Sequence, residues 1–178
     1  QDKEVWAQAD GPFTAASFQR QDRWTLLVQQ MDRWHPSIHQ LRLSLSFLPN
    51  WRIDDVMVSY AVDGAGVGPH FDRYDVFLLQ GLGQREWRLG PTCDDSTPQL
   101  GGGGLNLIPE FEPESTFLLN PGDVLYVPPG IAHWGIAHGA SMTFSIGLRA
   151  PPIAALLARR TDAVLEHLSS TSLLEDGA

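Results

Sequence analysis

Two textures of apolar and polar positions divide the chain. From Trp51 to about residue 150, short apolar runs alternate with polar positions and are separated by Gly and Pro: "DVMVSYAV", "DVFLLQ", "QREWRLG", "STFLLN", "DVLYVPP", "HWGIA" and "SMTFSIGLRA". Residues two apart share a face in a strand, so runs of this length and punctuation predict an all-β barrel or sandwich. Before Trp51 the spacing is helical. Trp24, Leu27, Val28, Met31 and Trp34 recur at that spacing, Pro36 breaks it, and "HQLRLSLSFLP" follows, which predicts helices packed on one edge of the sheet. After "APP" at 150–152, Ile153, Leu156, Leu157, Val164 and Leu168 restore the helical spacing and predict a terminal helix whose apolar stripe needs a partner face. "GGGGLNLIPEFEPE" reads as a loop. The expected organisation is a mainly β domain with N-terminal helical elements over residues 1–150, then the start of a helical, dimerising region over 151–178.

Composition narrows the classes. At 178 residues, with 43% hydrophobic and 19% charged content, the chain can bury one sizeable core. No apolar run approaches the roughly 18 residues of a membrane span, and the polar start "QDKEVWAQAD" lacks the apolar core of a secretory signal, so a cytoplasmic protein with no membrane partner is expected. A net charge of −9 argues against direct nucleic-acid binding, which needs clustered Lys and Arg, and favours a basic protein or a small metabolite. Cys93 is the single cysteine, which excludes an internal disulfide or CxxC motif. The chain begins with Gln and ends in a helix-like stretch; it reads as a piece of a longer protein.

The candidate chemistry lies in "GPHFDRYDVFLLQGLGQREW", residues 68–87. His70 and Asp72 are two apart and can share a face while Phe71 points into packing. A second element, "PGDVLYVPPGIAHWGIA", carries a turn, a strand and a Pro-Gly turn before His133, and a double-stranded β-roll would bring that late strand beside the early one. Two histidines and a carboxylate with positions left open are the facial triad of non-haem Fe(II) oxygenases. If Leu82 and Gly83 form a two-residue turn, Arg85 pairs with Gln80 across a hairpin. Eight residues from Asp72 to Gln80, at about 3.3 Å each, would span roughly 26 Å, so "DRYD" must bend back.

With these segments, "WRIDDVMVSY" and "FSIGLRAP" in hand, the chain over about residues 5–152 resembles a cupin-fold, JmjC-type 2-oxoglutarate oxygenase. More narrowly it is similar to the ribosomal oxygenases, whose bacterial members hydroxylate an arginine of a large-subunit ribosomal protein. The resemblance implies a double-stranded β-helix (jelly-roll) fold; Fe(II) on His70, Asp72 and His133; 2-oxoglutarate as cosubstrate with its far carboxylate on Arg85; and dioxygen as oxidant. It implies oxidative decarboxylation of 2-oxoglutarate to succinate coupled to hydroxylation, and a basic large-subunit ribosomal protein as partner; the unpartnered terminal helix adds the expectation of a homodimer in the full-length protein. Many JmjC enzymes carry Lys where this chain has Arg85, and Arg is what the arginine-hydroxylating bacterial branch resembles.

Several residues stay open between two readings. Ser59 and Ser145 lie in β-runs where a hydroxyl can face the cosubstrate or bond backbone. Asp63, in "VDGAGVGPH", is either a carboxylate for a substrate guanidinium or a turn residue. Trp134, next to His133, can line a substrate channel; Trp51 and Trp87 read as core or pocket wall, and Arg88 as solvated. Related eukaryotic members act on histidine, which is the alternative substrate. A zinc or manganese cupin without 2-oxoglutarate would leave Arg85 without a role, and a non-catalytic binding module would predict a disrupted trio.

Overall fold

The computed structural model describes residues 7–100 and 106–168. Its strands are β1 (Thr25–Val28), β2 (Ile53–Ala61), β3 (Asp75–Thr92), β4 (Ser115–Leu119), β5 (Val124–Val127) and β6 (Ile131–Leu148), and its helices are α1 (Pro36–Ser44) and α2 (Ile153–Leu165). The strands form one antiparallel sheet in the order β1-β2-β6-β3-β4, with β5 also paired to β3. The spine is the long ladder of β3 on β6, from Asp75 opposite Leu148 to Thr92 opposite Ile131.

Four of the short runs in the sequence are two strands. "DVFLLQ" and "QREWRLG" continue as β3 and "HWGIA" and "SMTFSIGLRA" as β6, so the expected hairpin at Leu82–Gly83, and with it the Arg85–Gln80 pairing, does not form. Arg85 pairs with Ala137 and Leu119 instead. The turn chemistry that suggested a hairpin serves a bulge. Gly83 has φ +62, and a Cβ there would collide with the Ala140 carbonyl, so only glycine fits. The ladder slips on both sides of Leu82, and the buried parity of β3 switches from Val76, Leu78 and Gln80 to Arg85 and Trp87. Across the bulge the other neighbour of β3 changes from β5 to β4. Val76 and Leu78 from one half and Arg85 and Trp87 from the other line one cavity, so the long strands fold over it. "DRYD" does bend, at Arg73 and Tyr74, but the fold-over of β3 is what brings Arg85 within reach.

The N-terminal expectation is half right. Residues 36–44 are helical, with Pro36 starting α1, where its missing N–H costs nothing. Thr25–Val28 is a strand laddered on Val58–Ala61: a run this short fits both periods, and a free sheet edge decides it. Ile38, Leu41 and Leu45 pack on Ile53, Val56, Ile146 and Leu148. Asp32, buried at 3% exposure, fixes this layer by accepting from Arg42 (3.1 Å) and from the Val56 backbone (3.0 Å). Trp51, read as core or pocket wall, is exposed at 68%. Cys93 is a buried free thiol.

α2 buries none of its residues, in keeping with an apolar stripe that has no face to pack on among the described residues. The rest of the expected C-terminal region, 169–178, lies outside the described residues, as do 101–105 of the glycine-rich loop. Among the described residues no helix is long and apolar enough to cross a membrane.

Candidate active site

His70 sits at the end of an irregular segment that runs along β6. His70 N–H donates to the His133 carbonyl (3.0 Å) and His133 N–H to the His70 carbonyl (2.7 Å), while Gly130 N–H donates to the Asp72 carbonyl (2.7 Å). Phe71, 1% exposed, packs with Cys93, Ile108 and Ala132, so the side chains alternate as expected although Asp72 is not in a strand. One potential ligand atom from each of His70, Asp72 and His133 lies within 4.8 Å of the others. His133 Nε2 is 3.8 Å from an Asp72 oxygen, and the two imidazole rings lie 4.3 Å apart.

The tautomers follow from the backbone. His70 Nδ1 is 2.9 Å from the Gly68 carbonyl and His133 Nδ1 is 3.0 Å from the Ile131 carbonyl. A carbonyl only accepts, so each Nδ1 carries a proton and Nε2 is the ring atom left to face a metal. Burial, reinforced by the neighbouring His70, pushes the His133 pKa from 6.5 down to about 3, so this imidazole is neutral at pH 7. Two imidazole Nε2 atoms and a carboxylate fit a divalent first-row metal with positions to spare.

At the other end of the cavity stands Arg85, 3% exposed. Its Nη1 donates to Ser59 Oγ (2.7 Å), its Nε to Ser141 Oγ (3.2 Å) and its Nη2 to the Ser141 carbonyl (3.3 Å). All three acceptors are neutral, and among the described residues no carboxylate pairs with it. Burial lowers its pKa from 12.5 to about 10, which leaves it charged at pH 7. A guanidinium has five N–H donors in a planar fork; three are used, and two remain. The Trp87 ring lies between the two ends, 5.8 Å from the His133 ring and 6.0 Å from the Arg85 guanidinium carbon. Gly135, opposite Trp87 in the ladder, makes room: a Cβ there would stand 2.8 Å from the indole.

The remaining expected residues separate. Ser59 bonds Arg85, whereas Ser145 lines the cavity without a side-chain hydrogen bond of its own. Asp63 is exposed and accepts from the Gly139 N–H (2.6 Å), apart from the cavity lining. Trp134 alternates away from His133 and lines a second, larger groove, with Arg88 over its ring at 5.4 Å; Arg88 also pairs with Glu86 at 2.7 Å. Sequence reasoning missed Ser141 and, behind it, the buried pair Gln80 and Thr143, in which the Gln80 amide donates to Ser141 Oγ (3.0 Å) and accepts from Thr143 (2.8 Å). The alternation of Ser141, Thr143 and Ser145 with Met142, Phe144 and Ile146 was in the sequence, but the same pattern marks a strand with a solvated polar face, and only the structure turns Ser141 and Thr143 inward.

Residues 40–156 match the JmjC domain family model. The chain is 41% identical over 166 residues to the ribosomal protein uL16 3-hydroxylase of Escherichia coli (strain K12), covering 91% of this chain and 43% of that protein. It is 40% identical over 154 residues to a probable ribosomal oxygenase of Haemophilus influenzae, covering 85% of this chain and 38% of that protein. It thus spans less than half the length of these curated relatives. Its structure superposes on that of YcfD, a ribosomal oxygenase from Escherichia coli, in complex with cobalt and 2-oxoglutarate, with a TM-score of 0.78 and 37% identity over 100% of this chain and 47% of that one. A family model matched over well more than half of its residues, on the folded-over β architecture described above, makes this chain a member of the JmjC domain family.

Proposed function

We propose that the chain is the catalytic part of an Fe(II)- and 2-oxoglutarate-dependent protein hydroxylase. His70, Asp72 and His133 hold the metal through the two Nε2 atoms and the carboxylate, and Arg85 takes the far carboxylate of 2-oxoglutarate with its two spare N–H groups, steadied by Ser59 and Ser141. The observation that carries this reading is the buried Arg85 guanidinium, paired with no carboxylate among the described residues, in the cavity that the trio also lines. A buried cation needs an anion, and a planar fork suits a carboxylate bidentately. When bound, iron and 2-oxoglutarate supply oxygen activation coupled to decarboxylation to succinate. The protein itself needs no nucleophile or general base, and its residues bind, orient and exclude water. A zinc or manganese cupin without the cosubstrate would use the trio and leave Arg85 uncompensated.

The substrate we propose is the large-subunit ribosomal protein uL16, after the Escherichia coli relative, and within it an arginine side chain. Arginine rests on the family resemblance and on Arg rather than Lys at position 85; histidine is the alternative. The net charge of −9 would steer a basic partner in a salt-dependent way, and such a substrate sets the reaction in the cytoplasm. Residues 151–178 we read as the start of a dimerising helical region. Full-length protein incubated with Fe(II), 2-oxoglutarate and uL16 should release succinate and add one oxygen to an arginine-containing peptide, more slowly as salt is raised. Tandem mass spectrometry that places the oxygen on histidine overturns the arginine assignment. Succinate release with no modified protein overturns the protein substrate.

A further inference from the structure

The Arg85 end depends on a fault in the sheet. Between the paired residues Leu82–Met142 and Gln84–His138, β3 has one residue and β6 has three. Were the inward parity of Val76, Leu78 and Gln80 carried on without a slip, Leu82, Gln84 and Glu86 would face in and Arg85 would face out, because a one-residue change of register exchanges the two faces of a strand. The place of the guanidinium is only as secure as the bulge.

One side chain ties this fault together. Gln80, 1% exposed, stands at the last regular position before the slip. Its N–H donates to the Asp123 carbonyl (2.9 Å) and its carbonyl accepts from the Gly122 N–H (2.9 Å), which fixes its backbone to the turn between β4 and β5. Its amide nitrogen reaches over the bulge to the Leu82 carbonyl (2.7 Å), the Gly83 carbonyl (3.1 Å) and Ser141 Oγ (3.0 Å). Two carbonyls only accept, so the nitrogen faces the bulge and the amide oxygen takes the hydroxyl of Thr143, its ladder partner, at 2.8 Å. The Ser141 that Gln80 holds is the residue that accepts from Arg85 through both its hydroxyl and its carbonyl. Gln80 and Thr143 stand behind Arg85 and not in the cavity lining, so any effect of theirs on a ligand must pass through the guanidinium.

We propose that Gln80 is the positioning residue of the cosubstrate end: by clamping the two bulge carbonyls and Ser141 with one amide, it keeps Arg85 turned inward and its fork aimed at the far carboxylate. This rests on the hydroxylase reading above. The test is a double-mutant cycle in the full-length protein, with 2-oxoglutarate binding measured by calorimetry in the presence of Mn(II) and no protein substrate. Gln80→Met, which keeps the length of the side chain and removes its hydrogen bonds, should weaken 2-oxoglutarate about tenfold in the wild-type background and less than about twofold in Arg85→Ala, because a residue that acts through Arg85 has nothing left to act on. Mn(II) affinity should stay within about twofold throughout. Thr143→Val, which removes only the hydroxyl that orients the Gln80 amide, should weaken 2-oxoglutarate about threefold in the first background and not in the second; it carries the test alone if Gln80→Met does not fold. Equal weakening in both backgrounds, no weakening in either, or a matching loss of Mn(II) overturns the positioning role and leaves the hydroxylase reading standing. A wild-type protein that binds Mn(II) but not 2-oxoglutarate overturns that reading, and the inference falls with it.

Discussion

The two ends of the cavity are built by different means. The trio needs one tertiary contact: His70 and Asp72 are two residues apart, His133 of β6 is bridged to His70 by a reciprocal backbone pair, and both rings are set by carbonyls two residues away. The Arg85 end is a product of register. A bulge in β3 turns the guanidinium inward, β2 supplies Ser59, and β6 supplies Ser141 just past Gly139. The first end has both rings oriented by backbone carbonyls and the His133 imidazole neutral at pH 7. The second holds a buried positive charge whose three hydrogen-bond acceptors among the described residues are neutral oxygens. Under the function proposed above, a metal on the trio at one end and the Arg85 guanidinium at the other would hold the two ends of a short dianion laid between them.

The largest effect should come from the first end. His70→Ala, Asp72→Ala and His133→Ala should each abolish succinate production and weaken Mn(II) binding, measured by electron paramagnetic resonance of free Mn(II). Full activity in any one variant would remove that residue from the metal. At the second end, loss of a charge-assisted pair is worth about 1.5–3 kcal/mol, so Arg85→Ala should raise the 2-oxoglutarate requirement roughly 10- to 100-fold with Mn(II) binding intact. Arg88→Ala should do little, because Arg88 is turned to Glu86 and Trp134. Equal effects at 85 and 88 would break the comparison.

Acid should separate the ends further. The His133 pKa is lowered from 6.5 to about 3, so below pH 6.5 the unfolded state takes up a proton that the folded state refuses. The linked stability is therefore full above 6.5 and is lost as pH falls toward 3. Urea midpoints of the metal-free protein should fall between pH 7 and pH 5, and His133→Asn should flatten that slope. Arg85, charged throughout this range, should leave it unchanged in Arg85→Met. The smallest effect is expected at Ser141→Ala, where loss of one neutral acceptor, about 1 kcal/mol, should weaken 2-oxoglutarate roughly fivefold without touching the metal.

The same contrast explains what the sequence could reveal. His70 and Asp72 were readable from their two-residue spacing, His133 from a second motif that a β-roll would bring beside them, and the ligand set and Arg85 from the resemblance of the surrounding motifs to a known family. The cradle of Arg85 was not, since Ser59, Gln80, Ser141 and Thr143 meet only once the bulge has set the register of three strands. The hairpin expected at Leu82–Gly83 failed for the same reason: a glycine at φ +62 serves a turn or a bulge equally, and only the neighbouring strands decide. Thr25–Val28 was drawn into a helical pattern because four residues carry too little periodicity to outweigh an available sheet edge.

The central claim is that one small dianion spans the two ends. A crystal of the protein soaked with Mn(II) and N-oxalylglycine, an inert analogue of 2-oxoglutarate, tests it directly. The account predicts Mn(II) on the Nε2 atoms of His70 and His133 and on the Asp72 carboxylate, the oxalyl end of the analogue on the metal, and its far carboxylate on the Arg85 guanidinium within reach of Ser59 and Ser141. A metal bound elsewhere, or an analogue whose far carboxylate lies away from Arg85, would contradict it.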